Sequence, residues 1–330
     1  MVETINRRQV LTAGASVAAG MAMPRVARAE TALMPLRCGT ATPGFTVVFF
    51  DYVRDNKLDE KYGFRLAAPM LATSISTLLS EFVAGSLDIT TTVFDNWAER
   101  HLAGVPVKLI CGLTTADQIA VVVPGDGAKT LADLRGKTIA APVASGIYRM
   151  TRALVREVAG VDIESEATIQ NAENPAQGVT LVLANRADAA VAWEPMISSA
   201  MLKKPDLRIV ADTGDLYRQK FKLDLPMFTL GARRELIERG SDVGRRLLAM
   251  YADCLQGIER NFDAVAEKYA ERMLIDAKVS QMARQAGRLR FNYVSCAEEP
   301  GRHLFRQGFE LLVRNKALSR MPDDSIFVDA

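Results

Sequence analysis

Apolar positions along the chain fall into two recurring patterns, short near-continuous runs and longer stretches with a helical stripe. "LRCGTA" (36–41), "FRLAAPM" (64–70), "SLDITTTV" (86–93) and "PVKLICGL" (106–113) read as buried strands. Between them lie helical stretches. "FTVVFFDYVRDNKLDEKYG" (45–63) reads as one helix. "TSISTLLSEFVAG" (73–85) carries Ile75, Leu78, Leu79, Phe82 and Val83 on one stripe and closes on Gly85. "DNWAERHLAG" (95–104) is a third helix, with Asp95 placed to cap it.

A second series then starts. "QIAVVVPG" (118–125), "KTIAAP" (137–142), "ATIQNA" (167–172), "DAAVAW" (188–193) and "DLRIVAD" (206–212) are strand-like. They alternate with a short helix at "KTLADLRG" (129–136), capped by Thr130, and a longer one at "SGIYRMTRALVREVAG" (145–160). Another helix follows at 174–185, with Asn174 as cap and Pro175 in the first position. From "LPMFTLGARREL" (225–236) onward the pattern gives one strand, then mostly helices, and an extended tail at "PDDSIFVDA" (322–330). The expectation is an α/β chain of two lobes, each a mostly parallel sheet flanked by helices, with at least two crossings between them.

Composition adds an address. The chain has 330 residues, 49% hydrophobic and 24% charged, an ordinary globular balance, and a mean hydropathy of +0.05. Its first residues pair Arg7 with Arg8, continue through an Ala/Gly/Val/Met run and reach Ala27-Arg28-Ala29. This resembles a twin-arginine export signal cleaved after Ala29, with an ordinary secretory signal as the alternative. Val10 and Thr12 depart from the preferred twin-arginine pattern. Residues 1–29 hold four arginines and one glutamate, so the formal +2 becomes 37 basic against 38 acidic residues, net −1. No basic face is implied, and nucleic acid is not an expected partner. The four cysteines, Cys38, Cys111, Cys254 and Cys296, show no C-x-x-C pairing and are expected as buried free thiols.

Three segments carry a family resemblance: "LLSEFVAGSLDITTT", "VVVPGDGAKTLADLRGKTIAAPVASGIYRMTRALV" and "VTLVLANRADAAVAWEP". In this order and spacing they resemble the periplasmic solute-binding proteins of ABC importers. The group in question is the nitrate/sulfonate/taurine type, which includes binders of thiamine pyrimidine precursors. Asn185 departs from the glycine usual before the D-A pair, but asparagine tolerates the same left-handed turn. The resemblance implies a two-lobed periplasmic binding protein fold with a hinge, lobe 1 from 30–118 together with 224–330 and lobe 2 from 119–223. It also implies capture of a small solute by lobe closure, delivery to a membrane permease, and a monomer.

Ligand contacts are expected at strand ends and helix N-termini, where unpaired N–H groups favour an anionic or carbonyl-bearing group. "TPGFT" offers Thr42, Gly44 and Phe45; "TTTVFDN" offers Thr91, Thr92, Phe94 and Asp95. "SGIYR" offers Ser145, Gly146, Ile147, Tyr148 and Arg149. "AAVAWEP" ends a buried strand in Trp193 and Glu194. Each has a structural alternative. Phe45, Phe94 and Trp193 suit a core, Ser145 and Asp95 a helix cap, and Arg149 a solvated face. Glu194 needs a partner if buried, either at the hinge or on a ligand amine. The ligand expected is an oxyanion, such as a sulfonate or carboxylate, with an aromatic or alkyl body; nitrate and pyrimidine precursors stay open.

Catalytic signals are sparse. The two histidines, His101 and His303, are far apart, and no G-x-S-x-G or H-E-x-x-H occurs. "GDGAKT" lacks the Gly-Lys spacing of a phosphate loop and reads as a turn. No catalytic residue, metal or cofactor is expected. The competing readings are a ligand-sensing subunit of a membrane receptor and an enzyme of the thiamine-pyrimidine synthase type, whose cysteine-rich signature is missing here.

Overall fold

The computed structural model describes residues 32–329, so the export signal expected over 1–29 lies outside the described residues. The first segment runs β1 (Met34–Leu36), β2 (Cys38–Ala41), α1 (Thr46–Asp55), α2 (Leu58–Lys61), β3 (Phe64–Leu66), β4 (Met70–Ala72), α3 (Ile75–Val83), β5 (Ile89–Val93), α4 (Phe94–Leu102) and β6 (Val107–Thr114). The second runs β7 (Ile119–Val123), β8 (Thr138–Ala141), α5 (Gly146–Ala159), α6 (Ile163–Glu166), β9 (Thr168–Asn171), α7 (Pro175–Leu183), β10 (Ala189–Trp193), α8 (Met196–Lys203), β11 (Arg208–Asp212) and α9 (Thr213–Phe221). The return runs β12 (Phe228–Arg233), α10 (Arg234–Ile237), α11 (Val243–Arg260), α12 (Phe262–Met273), α13 (Ala277–Gln285), β13 (Phe291–Ser295) and α14 (Glu299–Arg314).

Two main sheets result. The first and last segments build a six-stranded sheet in the order β13-β6-β12-β5-β2-β4, and the middle segment a five-stranded one, β11-β7-β10-β8-β9. Each is parallel on one side only. β7 runs antiparallel to both β10 and β11, and β12 antiparallel to β5 and β6. Those two strands directly follow the crossings between the sheets. The crossings lie side by side: Ala116 N–H donates to the Leu225 carbonyl (3.0 Å) and Met227 N–H to the Thr114 carbonyl (2.8 Å).

Period-two alternation packs both faces of the five-stranded sheet. Val121, Val123, Ile139, Ala189 and Val191 join the main core, while Ala120, Val122, Ala140, Ala190 and Ala192 face a second, smaller core under α7 and α8. The helix ends follow the sequence closely. The Ser145 hydroxyl accepts Tyr148 N–H at the start of α5, and Gly160 ends it at φ 64°. Asn174 caps α7 through Gln177 N–H, with Pro175 in the first turn.

Four local expectations change. The helix over 45–63 breaks at Lys57, whose φ is 54°. The strand over 64–70 becomes β3 and β4, which belong to different sheets, with β3 pairing β1. The helix at 129–136 is a 3₁₀ turn, Leu131–Leu134, under a Thr130–Asp133 capping box. The C-terminal part adds β13 and buries its tail, where Ile326, Phe327 and Val328 are at most 1% exposed. All four cysteines are buried free thiols, and burial raises the Cys38 pKa to about 12. Among the described residues no helix is long and apolar enough to cross a membrane.

Candidate functional site

Three contiguous cavities lie between the two sheets, and all share Ile75 and Trp193 in their walls. The innermost, about 40 Å³, is lined by Phe45, Phe49, Phe228, Leu289, Trp193 and other apolar groups. Polar side chains of Thr46, Thr92, Asn96, Thr114, Gln118, Ser145 and Glu194 also line it. Behind it, Phe45 packs against Phe262 (5.7 Å between centroids) and Phe291 (5.0 Å), which stiffens that wall. The outermost cavity, about 400 Å³, has a more polar lining that includes Ser74, Ser76, Arg100, Asn171 and Glu173. Six helix N-termini border this cleft: α1, α3 and α4 from the six-stranded side, α5, α7 and α8 from the five-stranded side. Each presents amides with no intrahelical acceptor.

The sequence candidates separate into two groups. Gly44, Phe45, Thr92, Ser145, Ile147, Trp193 and Glu194 line the inner cavity, and Thr42 lines the second. Thr91, Phe94, Asp95, Gly146, Tyr148 and Arg149 line none of the three. The reasons are geometric. Strand alternation that turns Thr92 toward the cavity points Thr91 to the other face of the sheet, where its hydroxyl meets Thr40 at 2.9 Å. Phe94 is fully buried against Phe305 and Phe309. Asp95 makes no cap, because α4 already begins at Phe94. Tyr148 is 4% exposed, and burial raises its phenol to about 12.

Asp95 and Arg149 instead form a bridge across the two sheets. The guanidinium donates to the Asp95 carboxylate at 2.8 and 2.9 Å, to Asn96 Oδ1 at 3.0 Å and to Glu99 at 2.9 Å. Burial, partly offset by Arg149, raises the Glu99 carboxyl above its ordinary value.

Glu194 makes a second bridge. Its carboxylate accepts from Ser198 N–H (3.0 Å), the Ser198 hydroxyl (3.0 Å) and Arg288 Nε (2.6 Å). The Arg288 guanidinium also donates to the Ser198 hydroxyl at 3.1 Å. Arg288 arrives from the segment between α13 and β13, so Glu194 ties the end of β10 to the opposite side of the cleft. Trp193, directly before it, is partly buried as the wall common to these three cavities.

Sequence reasoning missed Phe49, Ile75, Asn96, Thr114, Gln118, Phe228 and Leu289. Ile75 fell in the apolar stripe of its helix, and Gln118 stands at the crossing. Phe228 and Leu289 reach the cavity from the return segment, more than a hundred residues after the first strands, and no local pattern marks them. His101 is away from the cleft, with its ring Nε2 3.3 Å from Asp323.

A profile described as "ABC transporter, phosphonate, periplasmic substrate-binding protein" matches residues 57–222, half of the chain. The chain belongs to this family of ABC-transporter substrate-binding proteins. The family consists of binding proteins rather than enzymes, and its place is the periplasm. No curated protein sequence matches the chain. Solved structures match its fold. The periplasmic aliphatic sulphonate binding protein of Escherichia coli has a TM-score of 0.71 at 18% identity, over 90% of this chain and 92% of its own. The alkanesulfonate-binding protein of Xanthomonas axonopodis pv. citri, bound to MOPS, scores 0.72 at 15% identity, over 90% and 98%. A putative periplasmic sulfonate-binding protein of Methylobacillus flagellatus scores 0.65 at 14%, over 90% and 92%.

Proposed function

We propose that this substrate-binding protein captures a small organic oxyanion of the sulfonate, phosphonate or carboxylate class and closes two lobes around it. In this reading lobe 1 is 30–118 with 224–330, and lobe 2 is 119–223. The observation that carries it is the meeting of six helix N-termini on one cleft between the sheets. The apolar inner cavity supports a ligand with a hydrophobic body, and Trp193 is its wall. The sulfonate-binding structural neighbours support the same class. Closure brings Asp95 to Arg149 and Glu194 to Arg288, so the two bridges hold the closed form. The loaded monomer then docks on its permease. A micromolar affinity requires about 8 kcal/mol, within reach of a few charge-assisted hydrogen bonds and one aromatic contact.

Export by the twin-arginine route with cleavage after Ala29 completes the proposal. Protein recovered from the periplasm should begin at Glu30 by mass spectrometry and bind an alkanesulfonate, alkylphosphonate or carboxylate in calorimetry. An uncleaved cytoplasmic chain would contradict the export step. Binding of uncharged pyrimidines with no response to any anion would contradict the ligand class.

A further inference from the structure

The four cysteines all belong to the six-stranded sheet and its surroundings: Cys38 in β2, Cys111 in β6, Cys254 in α11 and Cys296 directly after β13. Cys38 is 2% exposed and the other three 0%. The Cys38 thiol donates to the Ala67 carbonyl at 3.3 Å, and the Cys254 thiol to the Phe49 carbonyl at 3.6 Å. Burial pushes all four thiols up, which suppresses the thiolate that disulfide exchange needs. None is paired, although the place of the family, the periplasm, is oxidising.

The sheet order shows what pairing would do. β2 and β6 are three strand spacings apart, with β5 and β12 between them. At 4.8 Å or so per spacing that is roughly 14 Å, against a limit of about 7 Å for the Cα atoms of a disulfide. A Cys38–Cys111 bond would pull β6 onto β2 and remove the places of β5 and β12. Yet these are the first two cysteines in the chain, and β12 begins more than a hundred residues after Cys111. A chain threaded out unfolded from its N-terminus shows both thiols to an oxidant before β12 can hold them apart. Unfolded, they return to an ordinary pKa of about 8.5 and are reactive.

We propose that the chain must complete its six-stranded sheet while its thiols are reduced, and so must reach the periplasm already folded. The reaction this avoids is disulfide exchange. The Cys38 thiolate attacks a disulfide-bonded donor, and the Cys111 thiolate then displaces the mixed disulfide. The two thiols lose two protons and two electrons and form one S–S bond, while the donor disulfide takes them up as two thiols. The inference rests on the periplasmic address and the sheet order, and holds whichever solute is bound. It gives the folded-export route proposed above a physical reason.

The test starts from the mature chain, unfolded and reduced in urea, then diluted into either dithiothreitol or oxidised glutathione. Dithiothreitol should restore the native melting temperature. Oxidised glutathione should leave about tenfold less native protein, with Cys38 linked to Cys111 in non-reducing peptide maps. Protein already folded should keep four free thiols and its melting temperature in the same oxidised glutathione. A variant combining Cys38→Ala, Cys111→Ala, Cys254→Ala and Cys296→Ala should refold equally in both mixtures; if it does not fold, the disulfide map of the unaltered chain decides alone. The refolding arm contains no export signal, so it stands or falls separately from the twin-arginine reading. In cells, replacing residues 1–29 by a signal that threads unfolded chains should give periplasmic protein with non-native disulfides. Three results would overturn the proposal: equal refolding of the unaltered chain in both mixtures, a block in which Cys38 and Cys111 stay unlinked, or threaded protein with four free thiols and the native melting temperature.

Discussion

Asp212 caps α9, its carboxylate accepting the Asp215 amide at 3.0 Å. It shares a small volume with Asp117 and Asp215, and Arg218 pairs with both of those neighbours. Burial, with the neighbouring carboxylates, raises the Asp212 pKa to about 7, against the amide bond and Arg218, which lower it. The folded protein therefore holds this proton more tightly than the unfolded chain. Its contribution is fully present below the unfolded value near 4 and is lost as pH rises through about 7. Asp212→Asn keeps a capping oxygen and removes the titration. Its stability relative to the unaltered protein should rise between pH 5 and pH 8 in urea denaturation. A difference independent of pH would show that Asp212 is ionised throughout.

At this scale the sequence was informative where chemistry and position coincide. Trp193 and Glu194 were legible because a buried strand must end where "AWEP" begins. The partner of Glu194 was not, since Arg288 lies 94 positions away with no local signal. Thr91 and Thr92 illustrate the complementary limit. Their run of three threonines conceals which side of the sheet each one faces, and only the register of β5 against β12 decides it.

Elements were most legible at their ends. Ser145, Asn174 and Gly160 behave as caps because side-chain oxygens and left-handed glycine satisfy backbone groups in a local way. Where two elements compete for one apolar run, local pattern fails. Lys57 breaks 45–63 by taking a positive φ, and 64–70 divides because its two halves pair with different strands. The close approach of α4 and α5 also depends on two distant positions, Asp95 and Gly146. Gly146→Ala places a methyl on the Asp95 carboxylate and should force the helices apart, disturbing the Arg149 bridge. A loss of about 1–3 kcal/mol in stability, the range for overpacking, is expected from urea denaturation. Unchanged stability would mean that α4 and α5 pack more loosely in solution.

For the molecule as a whole, the order of strands and helices announced an α/β architecture, and the resemblance placed it among periplasmic binding proteins. The mixed direction of the sheets was not announced. β7 and β12 look like any buried strand in sequence, and only the paired crossings make them run against their neighbours. The functional account depends on those crossings acting as a hinge. In the proposed function the Asp95–Arg149 and Glu194–Arg288 pairs belong to the closed form, and an open form would separate both pairs. Small-angle scattering on the mature protein, before and after saturation with an alkanesulfonate shown to bind by calorimetry, tests this directly. The account predicts a smaller radius of gyration with ligand, and recovery of the ligand unchanged in mass. A radius that stays the same at saturation would contradict capture by lobe closure.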